Sequence, residues 1–310
     1  MKNINIYLII GAFAFFSCND EEKLPLTVST DEITLDAAGH EQHFTVTTDE
    51  AIWRVVCDAT WPMIERDSLG TVTVSAADNP SRAVRTAKLY IAAGDQFQRI
   101  NLSQEGSLRV LGDPYPDAAN PVGIIYKVSD GGQHGMVISL DQAQCTWGLA
   151  TATQGAGDFR DGSANTRSVV SAHKDDATFS TDFPAFFWVY QKNNGNADGE
   201  WYIPSYFELL EFYNLAVGNT YSIPATGNPS SSQVTITHNA AVREAFNASV
   251  EALGGTPVTF DKGMHWTSSE SSAAQALTVQ FFFSGANYQY YMTGQNKSFG
   301  SFFVRAILKF

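Results

Sequence analysis

Asn194-Gly-Asn196-Ala-Asp198-Gly-Glu200 sets four oxygen-bearing side chains on alternate positions of a glycine-punctuated stretch. Alternating carboxylate and amide oxygens are what a hard cation such as calcium takes from a loop. Ser205 stands where such a loop carries its bidentate acid, and a turn rich in Asn and Gly accounts for the same letters through left-handed backbone. Calcium ligation by Asn194, Asn196, Asp198 and Glu200 and a plain turn therefore both stand as readings. A second candidate is Asn287-Tyr288-Gln289-Tyr290, where ring faces can stack on pyranose C–H groups and amides can bond hydroxyls. Strand alternation puts Tyr288 and Tyr290 on one face and Tyr291 on the other, and packing inside a sheet is the rival use for these rings. The six histidines show no pair at helical metal-binding spacing. There is no nucleophile elbow, phosphate loop or dinucleotide fingerprint, and Ser, His and Asp occur without triad context. The expectation is a protein that is not an enzyme and holds no cofactor unless the Asn194 loop takes calcium.

The elements that must position these residues fall into two regions, as 310 residues with 44% hydrophobic and 13% aromatic content lead one to expect. Over 24–106, seven short alternating segments (Leu26–Ser29, Glu32–Leu35, Gln42–Thr47, Ile52–Val56, Thr71–Ser75, Ala87–Ile91, Gln98–Leu102) are separated by turn formers. Their period of two and β-branched content predict an all-β, immunoglobulin-like sandwich. Residues 107–120, crowded with Pro114 and Pro116 beside Asp113 and Asp117, read as a rigid linker. In 121–310, Val122–Val128 and Gly135–Leu140 read as a hairpin turning at Ser129–Gln133. A helix is predicted from Tyr206, capped by Ser205 with Glu208 at the capping-box position. A second spans Asn239–Leu253 and ends at Gly254-Gly255. Strands near Trp266, Ala276–Phe283 and Phe302–Phe310 complete an α+β pattern.

Nineteen Lys and Arg against 32 Asp and Glu leave a net charge of −13, which repels polyanions and argues against a nucleic-acid partner. Residues 1–17 carry Lys2, an apolar run from Ile6 to Phe16 and then Ser17, too short for the ~20 residues that span a bilayer and suited to a signal peptide. Cys18 with Ser17 before it resembles the lipobox of bacterial lipoproteins, whose cysteine is acylated. The acidic tether 18–23, Asn19-Asp20-Glu21-Glu22-Lys23, is similar to the tract that marks Bacteroidetes lipoproteins for surface display. The resemblance implies an outer-membrane, lipid-anchored protein facing the cell exterior. Cys57 and Cys145 remain, about 90 residues apart, and a disulfide framework is not expected.

Trp53, Trp61-Pro-Met-Ile, Asn79-Pro-Ser-Arg-Ala-Val-Arg85 and the closing Gln104-Glu105-Gly106 resemble the BACON domain, a module found beside glycan-active domains and serving as sugar binder or spacer. Asn79 and Arg85 are expected to fix the turn, and Trp53 and Trp61 to pack in the core or to form a sugar platform. Asp161-Gly162, Asn165-Thr166, Gly199–Ser205 with Glu208, Trp266-Thr-Ser-Ser-Glu270 and Val304-Arg305-Ala306 occur in the order seen in the DUF1566 and Fibrobacter-paralogous-domain group. That likeness implies a C-type-lectin-like fold over 121–310. The Glu-Pro-Asn and Trp-Asn-Asp tripeptides of calcium-dependent lectins do not occur, and no cysteine follows Cys145 to serve the oxidase branch of that fold. The expected function is binding of an extracellular glycan without catalysis; the alternative is an adhesin or pilus-associated structural subunit with a protein partner. Asp67-Ser68-Leu69 also resembles a short Bacteroidetes O-glycosylation sequon.

Overall fold

A computed structural model describes residues 24–218, 223, 234–236, 239–260, 263–284, 287–300 and 302–310. The leader, Cys18 and the acidic tether lie outside these described residues. The chain is rich in β-sheet with a few helices. It divides into two compact units, one of residues 24–33, 42–74 and 87–102 and one of 34–41, 75–86 and 103–310.

The first eight strands are β1 Thr27–Val28, β2 Glu32–Leu35, β3 Gln42–Thr47, β4 Trp53–Cys57, β5 Pro62–Arg66, β6 Thr71–Ala76, β7 Arg85–Ala93 and β8 Gln96–Gln104. They lie in two four-stranded sheets, ordered β1-β3-β6-β5 and β2-β8-β7-β4. Alternation decides what is covered: Ile33 and Leu35, Phe44 and Val46, Val72 and Val74, Leu89 and Ile91, Ile100 and Leu102 are buried, and their strand neighbours are mostly exposed. Each such side chain stabilises the fold by about 1.5–3 kcal/mol. All seven segments expected to be strands are strands. The eighth, β5, escapes a sequence reading because Pro62 opens it and Met63, Glu65 and Arg66 are exposed, the signature of an edge strand.

Within the second unit, Asn79 closes the 75–86 turn as the sequence suggests. Its buried amide donates to Ala83 O and Glu105 O, both at 2.9 Å, and accepts from Ser81 N at 3.1 Å. Arg85 donates through Nε to Gln104 Oε1 at 2.7 Å and through Nη2 to Ala77 O at 2.9 Å. Gly106 is required there because a Cβ would strike Arg82 O.

The rest of this unit contains β9 Pro114–Tyr115, β10 Gly123–Ser129, β11 His134–Ser139, β12 Ala143–Cys145, α1 Gly162–His173, α2 Phe179–Asp182, α3 Pro184–Lys192, α4 Tyr206–Ala216, β13 Val234–Ile236, α5 Ala240–Ala252, β14 Met264–Glu270, β15 Gln275–Ser284, β16 Asn287–Asn296, β17 Phe302–Val304 and β18 Ile307–Lys309. One sheet runs β18-β11-β10-β9 and another β12-β17-β14-β15-β16-β13. The β10–β11 hairpin pairs Ile124 with Ile138 and Ser129 with His134, turning through Asp130, Gly131 and Gly132 at φ 52°, 61° and 81°. Leu277 and Val279 of β15 pack with Leu209, Phe212 and Tyr213 of α4, whereas Trp266 of β14 and Ala276 pack with Val169 of α1 and Phe186 of α3. Alternation thus gives the six-stranded sheet a helical cover on each face.

The two expected helices form. α4 begins where Glu208 reaches back to the Ser205 N–H at 2.9 Å, and it ends at Gly218 with φ 67°. α5 starts at Asn239, whose Oδ1 accepts from Ala241 N at 3.1 Å, and stops before Gly254 at φ 76°. α1 and α3 were not anticipated. α1 is rich in Ser, Thr and Asn and presents only a thin apolar stripe, and α3 is mostly aromatic or β-branched, a composition shared with strands.

Candidate functional site

Residues of the ordered motifs converge, from α1, α4, β14 and the loops before them, into a buried polar network. Asp161 caps α1 by accepting from Ala164 N at 2.9 Å. Gly162 donates its N–H to Glu208 Oε2 at 3.0 Å, and a Cβ at that glycine would collide with Ser205 N. Glu208 also accepts from Ser205 Oγ at 2.8 Å and from the Tyr202 hydroxyl at 3.1 Å, and pairs with Lys309 Nζ at 3.1 Å. Burial beside that carboxylate pushes the Tyr202 phenol well above its usual range. Asn165 accepts from Asp158 N at 3.0 Å and donates to Ser268 Oγ at 3.2 Å. Thr166 Oγ1 accepts from Ile203 N at 3.0 Å, and Ser269 Oγ donates to Asp158 O at 2.7 Å.

Glu270 closes the other end of the network. It accepts from Gln154 N at 2.8 and 2.9 Å and Ala156 N at 3.0 Å, and pairs with Lys297 Nζ at 2.6 Å. Lys297 is fully buried over the Trp147 ring, 4.7 Å from its centroid. Trp147 and Trp266 bond Thr267 O and Cys145 O through their indole N–H groups, at 2.9 and 3.1 Å. Arg305 donates to Ser139 O at 3.0 Å, Gln142 Oε1 at 3.1 Å and Thr256 O; burial lowers its guanidinium to about 10. The motif carboxylates and amides hold loops together, since buried polar groups must be paired.

The surface above this network offers a cleft of about 350 Å³ at the start of α4. Lys127, Arg160 and Lys309 line it with Glu208 and Glu211, and Met136, Phe207 and Ile223 supply apolar walls. Lys127 pairs with Glu211 at 2.9 Å, and the Arg160 guanidinium lies 4.1 Å from the Phe207 ring centroid. Three cations against two carboxylates leave a positive excess in a chain of net charge −13. A cation on a ring, beside ammonium donors, suits a small polar ligand with an acceptor-rich edge. This cleft was not legible beforehand: Lys127, Arg160 and Lys309 come from three distant segments, and only Glu208 carried a signal, its place in the capping box.

The calcium candidates lie on the loop after α3. Asn194 adopts φ 53°, Asn196 Oδ1 accepts from Asp198 N at 3.0 Å, and Asp198 pairs with Arg167 Nε at 2.9 Å. Glu200 is exposed. The residue that closes this loop is Asn193, which bonds Trp201 N and O at 3.0 and 2.8 Å, and its side chain is what excludes a Cβ at Gly199. Asn287, Tyr288, Gln289 and Tyr290 lie on β16, between β15 and β13, with Tyr288 opposite Phe283 and Ile236 and Tyr290 opposite Phe281 and Val234. What their side chains touch lies outside the described part of the structure.

Among the described residues no cluster of three or more His, Cys, Asp or Glu is arranged to hold a metal, and no helix is long and apolar enough to cross a membrane. Trp53 is half-buried, with the Arg66 guanidinium 4.8 Å from its ring centroid. Cys57 and Cys145 are free and half-buried, and burial pushes the Cys145 thiol up to about 11. Ser68 lies on the exposed turn between β5 and β6, where Asp67 accepts from Leu69 N and Thr71 N, both at 2.8 Å.

No protein-family model and no curated protein matches the chain. Among solved structures, a protein from Bacteroides thetaiotaomicron is similar over 30% of this chain and 97% of its own length, at 16% identity and a TM-score of 0.24. A fimbrial protein from Bacteroides ovatus is similar over 93% of this chain and 70% of its own, at 15% identity and a TM-score of 0.43. Domains 4 and 5 of the S-layer protein SbsC are similar over 27% and 46%, at 15% identity and a TM-score of 0.24. These neighbours are Bacteroides or surface proteins, and the likenesses are too distant to define a fold family or a role. The BACON-like and DUF1566-like expectations rest on the residues quoted for them.

Proposed function

We propose that the protein is an exported, lipid-anchored surface protein that holds an extracellular ligand without catalysis, with the cleft at the start of α4 as its contact site. The observation that carries this reading is how the motif side chains are employed. Glu208 and Glu270 are committed to buried backbone N–H groups and to lysines, which holds the loops under an open cleft that Lys127, Arg160 and Lys309 line with a positive excess. A polyhydroxylated ligand meets donors and acceptors there beside apolar walls. Anchoring through Cys18 would place that cleft outside the cell.

The full chain applied to a panel of host and dietary glycans, with and without calcium, tests this reading. A hit weakened about tenfold or more by an Arg160→Ala/Lys127→Ala variant supports it. A hit abolished by chelation would move the site to the Asn194–Glu200 loop. A protein-binding, adhesin-like role is the second reading, favoured by exposed Ile52 beside β4, Val56 on it and Met63 on β5, since β4 and β5 each end a sheet. An unpaired strand edge carrying apolar side chains is a surface that another chain can extend. Silence on the glycan panel together with self-association lost on Val56→Lys would establish that role instead.

A further inference from the structure

A second cleft, of about 430 Å³, lies in the same unit and shares no residue with the first. It is lined by Arg82, Leu108, Arg109, Asp113, Pro114, Pro116, Asp117 and Ala118, and its charged side chains differ in how they are employed. Arg82 donates to Leu108 O at 2.9 Å and to Asp113 Oδ2 at 2.5 Å. Asp113 Oδ2 also accepts from Val110 N at 2.8 Å, so this pair is satisfied within the chain. Asp117 accepts from Ala119 N and Asn120 N, at 2.8 and 3.0 Å, through Oδ1 alone, and leaves Oδ2 to solvent.

Arg109 is the exception. Its guanidinium lies 5.0 Å from the Phe310 ring centroid and 5.9 Å from that of Tyr115, and those two rings stack on each other at 5.2 Å. It makes no hydrogen bond or ion pair among the described residues. A guanidinium laid on aromatic faces keeps its in-plane N–H donors unspent, and the rings fix its orientation before any ligand arrives. Such a fork matches a carboxylate through two parallel bonds.

We infer that this cleft takes a carboxylate-bearing sugar of the uronic-acid type, with Arg109 as the carboxylate receptor. Arg82 and Asp113 neutralise each other, so the lining presents one uncommitted cation, Arg109, which suits a single carboxylate. The open Asp117 oxygen accepts a ligand hydroxyl. Pro114, Pro116 and Ala118 offer apolar faces for ring C–H groups. The inference deepens the ligand-holding reading above but stands on separate residues.

The test is titration of the purified full chain with galacturonate, followed by protein-observed NMR, beside its methyl ester and neutral galactose. Binding of the acid is expected, with the ester and the neutral sugar at least about tenfold weaker, the loss of one charge-assisted fork. Arg109→Gln should weaken the acid by a similar factor, and Arg109→Lys, which keeps charge but not the fork, by less. Arg160→Ala in the first cleft should leave this titration unchanged. The inference is overturned if the acid does not bind, if ester and acid bind alike, or if Arg109→Gln binds as the parent does. Loss on Arg160→Ala with Arg109→Gln unaffected would overturn it while sustaining the first cleft. Should Arg109→Gln fold poorly, Arg109→Lys serves instead, with weaker binding of the acid expected and parent-like binding overturning the inference.

Discussion

Replacing Lys297 by methionine isolates the most expensive interaction in the polar network. The substitution keeps the length of the stem over Trp147 but removes an ammonium that is fully buried, 2.6 Å from Glu270 Oε2 and 3.1 Å from Ala152 O. Glu270, 5% exposed, would then stand as an uncompensated carboxylate with only the N–H groups of Gln154 and Ala156 against it. Breaking a buried pair from one side costs about 3–5 kcal/mol, because the surviving charge stays desolvated. At a urea slope of about 2–3 kcal/mol per molar, the midpoint should fall by roughly 1–2.5 M. Equilibrium unfolding followed by tryptophan emission reads this directly, with Trp147 as a reporter beside the lesion.

The companion variant decides the cause. In Lys297→Met/Glu270→Gln no charge is left stranded, and stability should recover to within about 2 kcal/mol of the parent. If Lys297→Met costs less than about 1 kcal/mol, the pair is not held as described and the reasoning fails. If the double variant is as unstable as the single one, the loss belongs to lysine packing on the indole and not to the stranded carboxylate.

Other consequences are open to measurement. Burial and nearby Arg305 push the His265 imidazole down to about 3, against about 6.5 in an unfolded chain, so the unfolded state takes up the proton first. Stability present above pH 6.5 should therefore fall by about 4 kcal/mol towards pH 3, a limb that His265→Phe flattens in pH-dependent urea titrations. Glu208→Ala leaves the buried N–H groups of Gly162 and Ser205 without their acceptor and should cost about 2–4 kcal/mol in the same assay, with Glu208→Gln milder. Cys145, its thiol raised to about 11, should resist iodoacetamide at neutral pH and react once urea unfolds its unit, as peptide mapping would show.

Where a residue pattern acts over a few positions, the sequence was readable. The seven alternating segments before residue 106, the Ser129–Gln133 turn, the Ser205/Glu208 capping box and the Asn239 cap each depend on near neighbours, and each forms. Pro62–Arg66 and the helices at Gly162 and Pro184 escaped because tertiary cover overrides weak or mixed local preference there. The loop at Asn194–Glu200 was read from its oxygen atoms, while the side chain that shapes it, Asn193, stood one place before the pattern. Lys127, Arg160 and Lys309 meet only through folding, across 182 positions of sequence from first to last.

The motifs stood out for a physical reason that bears on how function is sought in such a chain. Long connections between α1, α4 and β14 cannot satisfy their backbone with ladders, so single side chains must do it: Glu208, Asn165, Ser269 and Glu270 each bridge segments that are far apart in sequence. Such positions tolerate few residue types, and they leave the most distinctive letters in the chain. A ligand-contacting donor obeys the opposite requirement, since it must remain unspent until the ligand comes. Arg109 meets that requirement on the ring faces of Tyr115 and Phe310, in a stretch whose only sequence signal was its prolines and aspartates. The conspicuous residues are thus the scaffold, and candidates for function are found by asking which exposed cations and amides the fold has left without employment.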